Sequence, residues 1–183
     1  MIHKLPKELQ MTRRQLAIDG FVKVGIPGDC NSGVVTEWCW AKRLSKSYAR
    51  LITCCMSQNG VGYGDVVEFR EWPKQSHPLS KQFLWVVSRG SEQVMIAYAS
   101  RSDAASASQK AQKRLKSRCR DVQRFLETAR GEGLVLAWEC MHAGFLCIAL
   151  PVGTTDDEAD RLLGDCPHLV EVGEMCRAWF PGS

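Results

Sequence analysis

Residues 106–150 read SASQKAQKRLKSRCRDVQRFLETARGEGLVLAWECMHAGFLCIAL, and two periodicities meet inside this stretch. From 106 to 130 the apolar positions Ala111, Leu115, Val122, Phe125, Leu126 and Ala129 recur at the spacing of one helix face. Gly131 and Gly133 follow, where a helix C-terminus favours glycine. Then 134–141 and 145–150 are two apolar runs around Ala143-Gly144, the pattern of a tight hairpin. Its first arm is expected to carry Leu136, Trp138, Cys140 and His142 on one face, opposite Phe145 and Cys147. Val135, Ala137 and Met141 then share the other face with Leu146, Ile148 and Leu150.

Outward from this core the pattern continues. Thr155-Asp-Asp-Glu158 is a capping box that starts a second helix, and 169–175 reads as a last strand. Upstream, 93–99 alternates as a strand. From Gln93 the order is therefore strand, helix, strand, strand, helix, strand, that of a ferredoxin-like β-α-β-β-α-β sandwich. Both faces of its sheet are largely apolar, so both need a cover. The helices supply one, and the N-terminal strands or a second copy of the chain, as a homo-oligomer, supply the other.

Earlier still, 35–44, 48–55, 65–72 and 82–88 read as short strands with turns at Ser45-Lys-Ser47, the glycine-rich 58–64 and Arg89-Gly-Ser91. Tight turns and short strands predict a small bent antiparallel sheet or partial barrel. Leu5, Leu9, Thr12 and Leu16 suggest a short helix within 1–20, and 24–33 reads as a linker on Ile-Pro-Gly-Asp and Asn-Ser-Gly. The expected organisation is an α+β chain with an N-terminal extension 1–33, a β subdomain 34–92, a ferredoxin-like subdomain 93–177 and a tail 178–183.

Three segments of the first half carry a resemblance: Thr36-Glu-Trp-Cys-Trp-Ala-Lys-Arg-Leu44, Tyr48-Ala-Arg-Leu51 and Gly60-Val-Gly-Tyr-Gly-Asp-Val-Val-Glu68. Together with the C-terminal element order they resemble a family of small bacterial proteins of unknown function. That family shows a Glu-x-x-Trp-Ala start and a Tyr-Gly-Val-x-x-Gly-Asp-Val-Val block. Here Asn59-Gly60 stands where the family has Tyr-Gly. The resemblance spans roughly 34–177 and implies the same fold and a bacterial or phage source. It brings no catalytic residues.

The chain has 183 residues, 45% apolar and 24% charged, with 15 Gly and 7 Pro, which excludes collagen-like, low-complexity and wholly disordered classes. Its longest apolar run, 145–152, is too short to span a bilayer, so no membrane association is expected. The first residues hold no apolar core of a signal peptide, and the expected location is cytoplasmic. Nine cysteines, with no C-x-x-C, then read as reduced thiols, most of them small buried apolar side chains.

Charge is uneven. Residues 110–130 carry a net +6 and residues 132–183 a net −7. Either the two neutralise each other within the fold, or each faces a different partner. Lys113, Lys116, Arg120 and Arg124 fall on or near one side of the predicted helix, opposite Leu115, Val122 and Phe125, as candidates for nucleic-acid or partner binding. Trp38, Trp40 and Trp72 share strand parity; they either pack together or form a protein-docking patch.

Cys140, His142 and Cys147 would converge on a zinc ion if their strands pair as the turn predicts. Cys140 with His142, or Cys176 with His168, would be the elements of a thiol nucleophile. The bend at 60–64 lacks the Gly-Lys-[Ser/Thr] of a phosphate loop, and Asp65 is expected to cap it. With no cofactor fingerprint, the expected function is non-enzymatic binding of a protein partner, as an immunity, antitoxin-like or accessory factor. The alternatives are a nucleic-acid-binding module using helix 106–130, and a thiol- or zinc-dependent enzyme.

Overall fold

In a computed structural model of the chain the described residues are 20–27, 36–55, 61–71, 80–100, 102, 105, 108–142 and 144–173, without the side chains of Met141 and His142. The chain is mixed α+β, mostly strands, and divides into two compact units, 1–90 with 177–183 and 91–176. The helix expected within 1–20, most of the 24–33 linker, Trp72, Cys176 and the tail lie outside the described residues.

In the first unit β1 (Phe21–Pro27), β2 (Thr36–Arg43), β3 (Tyr48–Leu51), β4 (Val66–Glu71) and β5 (Ser80–Ser88) form a closed barrel. Neighbours along the chain pair antiparallel, and β1 closes the ring by pairing parallel with β5. The linker expected over 24–33 is corrected here, because β1 occupies its first residues. Val22, Val24 and Ile26 point inward and are buried, a period-two pattern that Gly25 and Pro27 disguise as loop. Gly25 serves packing: a Cβ there would stand 3.0 Å from the Trp38 ring on the adjoining strand.

The barrel interior is filled by those three residues with Cys39, Ala41, Ala49, Leu51, Cys55, Val67 and Phe69. At the bend before β4, the buried Asp65 carboxylate accepts the Gly62 N–H at 2.8 Å and the Gly90 N–H at 2.6 Å. It ties the turn to the end of the barrel segment.

In the second unit β6 (Glu92–Ala97), β7 (Ala137–His142), β8 (Phe145–Leu150) and β9 (Glu171–Val172) form one antiparallel sheet in the order β7-β8-β6-β9. Helices α1 (Gln109–Gly131) and α2 (Asp156–Gly164) pack Val122, Leu126, Ala129, Ala159 and Leu163 against Val94, Ile96, Leu146, Ile148 and Leu150. Ser108 caps α1 by accepting the Ala111 N–H at 3.2 Å. The capping box at Thr155 and Glu158 forms, each residue's side chain satisfying the other's backbone N–H.

The hairpin register departs from the tight-turn expectation. His142 pairs with Phe145 as a two-residue turn requires, but a bulge between Cys140 and His142 adds one residue to the first arm. Beyond it Cys140 pairs with Leu146, Glu139 with Cys147 and Trp138 with Ile148. A one-residue slip exchanges the faces. Trp138 and Cys140 therefore join Leu146 and Ile148 on the helix-covered side. Cys147 lies on the opposite face with Gln93 and Ala149, all three buried.

Candidate functional site

Helix α1 presents the strongest charge feature. Its 23 residues extend about 35 Å at about 1.5 Å per residue. Only Val122, Leu126 and Ala129 are fully buried, all in the C-terminal half; Leu115, Cys119 and Phe125 pack partly against the core. Lys110, Lys113, Arg114, Lys116, Arg120 and Arg124 are all exposed.

Arg124 meets Asp121 at 3.8 Å, and Asp121 also takes the His168 ring at 3.1 Å. Lys113, Lys116 and Arg120 take no ion pair among the described residues. The internal neutralisation that the +6 and −7 segments allow is thus not what these three cations do.

This arrangement works against the helix. No acid stands in the first turn, where the dipole favours negative charge. Lys110/Lys113, Lys110/Arg114, Lys113/Lys116, Arg114/Arg118, Lys116/Arg120 and Arg120/Arg124 are like-charged pairs at helical i,i+3 or i,i+4 spacing. Each such pair costs about 0.2–0.5 kcal/mol.

The tryptophans separate. Trp40 is buried, 6% exposed, with the Lys23 ammonium 4.7 Å above its ring. It offers no docking surface, which corrects that expectation, while Trp38 is half-buried against Gly25. Among the described tryptophans the exposed one is Trp85, 48% exposed, in one cross-strand row with Glu68 and exposed Tyr48 and close to exposed Val87. Periodicity misses it because β5 is irregular: Phe83 and Val86 both pack against the barrel core, opposite Phe69 and Val67, which flips the parity between them.

The expected metal trio does not come together. Cys140 and Cys147 project from opposite faces of the sheet, and the His142 side chain lies outside the described residues. Cys166 is buried, its thiol pushed up to about 11, and His168 turns to Asp121.

What Cys140 does meet is Cys119, a residue that periodicity alone does not mark as functional, with the sulfurs 3.9 Å apart. The Tyr98 hydroxyl stands 4.0 Å from Cys140 Sγ. Hydrogen bonding from Cys140, with a smaller contribution from Tyr98, lowers the Cys119 thiol from the ordinary 9.0 to about 6 against the opposing effect of burial. The same contact, with burial, pushes Cys140 far upward. The signal for Cys119 is its place on the apolar stripe, four residues after Leu115 and three before Val122.

An expected result follows for the thiols. Alkylation of Cys119 by iodoacetamide should rise through about pH 6 and be near its plateau at pH 7, since lowering the pKa populates the thiolate earlier. Peptide mapping of the alkylated protein over about pH 5–9 checks it, and a rise only near 9.0 would refute it.

No protein-family model and no curated protein sequence matches the chain. A hypothetical protein from Neisseria gonorrhoeae, of known crystal structure, is similar in fold, with a TM-score of 0.50 at 10% identity over 88% of this chain and 97% of the other. At that identity the likeness is one of fold alone. Among the described residues no helix is long and apolar enough to cross a membrane.

Proposed function

We propose that the chain is a binding module for a polyanion, nucleic acid in the first place, engaged by the outer face of α1. One observation carries this reading: Lys113, Lys116 and Arg120 are exposed on one helix, mutually repulsive, and without ion pairs among the described residues. Lys113 to Arg124 spans about 16 Å along the axis, the rise of about five nucleotides of one strand. The second unit fits a ferredoxin-like sandwich, a reading supported by its β7-β8-β6-β9 order and antiparallel pairing. Kinship with the small bacterial family resembled by 34–177 and a cytoplasmic setting belong to the same proposal.

The test is fluorescence anisotropy with labelled duplex and single-stranded oligonucleotides, titrated with salt. Binding at about 50 mM salt that weakens steeply and log-linearly is the expected result. Absence of binding there, or an affinity indifferent to salt, would overturn the reading.

A second reading, attachment of a protein partner, is favoured by Trp85, Tyr48 and Val87 on the outside of the barrel, because exposed aromatics of this kind anchor interfaces. On that reading Trp85→Ala abolishes capture of a stoichiometric protein from nuclease-treated lysate while leaving oligonucleotide binding unchanged. Capture undiminished by the substitution would remove it.

A further inference from the structure

Among the described residues, Cys39, Cys54, Cys55, Cys147 and Cys166 are buried, whereas Cys140 is exposed and Cys119 half-exposed. We propose that Cys119 and Cys140 form a thiol–disulfide exchange site that reacts with small anionic disulfides, of which oxidised glutathione is the type, and closes into a covalent bridge between α1 and β7. The geometry carries this. Two sulfurs from different secondary-structure elements stand 3.9 Å apart at the surface. They need to close to about 2.05 Å, a movement that rotation of the two side chains with a small helix shift supplies. Lys116 and Arg120, on the same helix as Cys119, set a positive potential around the approach of an anionic disulfide.

The chemistry balances in two exchanges. The Cys119 thiolate attacks one sulfur of R–S–S–R; that S–S bond breaks, its electron pair leaves with R–S⁻, and a Cys119 mixed disulfide forms. With the Cys119 thiolate gone, the hydrogen bond it accepts and the repulsion it exerts no longer hold the Cys140 proton in place, and chiefly burial still does. Cys140 then gives its proton to solvent and attacks Cys119 Sγ, expelling the second R–S⁻. Both leaving thiolates take up protons. Two cysteines are oxidised, one small disulfide is reduced to two thiols, and no further reactant is needed.

The test uses the full chain with oxidised glutathione near neutral pH, quenched in acid and digested with trypsin without reduction. Arg120, Arg124 and Arg130 lie between the two cysteines, so only a disulfide keeps Cys119 and Cys140 in one fragment. The expected product is that fragment. Cys140→Ser should stop the reaction at a glutathione adduct on Cys119, and Cys119→Ser should slow adduct formation at Cys140 by at least about tenfold, as a thiol lacking an early thiolate reacts slowly.

Equal rates at Cys119 and Cys140 in the two variants, or a bridge from either to another cysteine, would overturn the proposal. A readout on the unsubstituted chain guards against misfolded variants: oxidation should raise the melting temperature of the chain, and a fall would count against a bridge that fits the native geometry.

Discussion

Gly90→Ala is expected to unfold the barrel or bring it close to unfolding. A methyl group built on Gly90 lands on the backbone Cα, C and O of Gly64. Gly64 itself sits at φ +82, where only glycine is unstrained, so it cannot readily move to make room. Overpacking against side chains typically costs about 1–3 kcal/mol because rotamers yield; backbone against backbone has no rotamer to yield.

The displacement also breaks the hydrogen bond from the Gly90 N–H to buried Asp65, at 2.6 Å, whose charged acceptor makes it worth about 1.5–3 kcal/mol. A loss of roughly 3–6 kcal/mol against a total of about 5–15 kcal/mol is the outcome to expect. Tryptophan fluorescence is a suitable probe, since Trp38, Trp40 and Trp85 lie in barrel strands. The melting temperature should fall by roughly 10 °C or more.

Two companions sharpen this. Asp65→Ala removes the same clamp from the other side and should be clearly less than additive with Gly90→Ala. Gly131→Ala, at a helix end where an added methyl meets nothing within 4 Å, should be neutral or slightly stabilising. A Gly90→Ala protein that melts like the parent would mean that the two glycines do not touch in solution.

The parts of this fold that are legible from sequence are the local ones. The Thr155–Glu158 capping box and the extent of α1 each depend on a few adjacent residues, and each forms where the pattern says. What is not legible depends on neighbours distant in sequence. Gly25 and Pro27 look like loop until the Trp38 ring and the pairing with Thr36 give them a strand's work.

The bulge before His142 has no signature in its own residues, yet it alone decides that Cys140 faces Cys119 and not Cys147. The charge of α1 is likewise plain in the residues, and its partners are not. Whether the acidic third of the chain neutralises it is a question of placement: among the described residues Lys113, Lys116 and Arg120 take no ion pair, and Arg124 pairs with Asp121 of its own helix.

Replacing Lys113, Lys116 and Arg120 together by glutamine should therefore separate stability from binding. For every phosphate that a cation ceases to neutralise, the slope of log affinity against log salt shrinks by about 0.9 on duplex and about 0.7 on single strands. Three such phosphates take away about 2.7 from the duplex slope, which at about 0.1 M salt weakens binding several hundredfold. The helix should fare no worse, because four of its six like-charged pairs disappear and cations leave the end where the dipole opposes them.

The pair of measurements is thus a melting temperature equal to or above that of the parent, together with a flattened salt dependence. Lower stability with weaker binding would mean that the cations hold the helix in place, and unchanged binding at any salt would remove α1 from the interface.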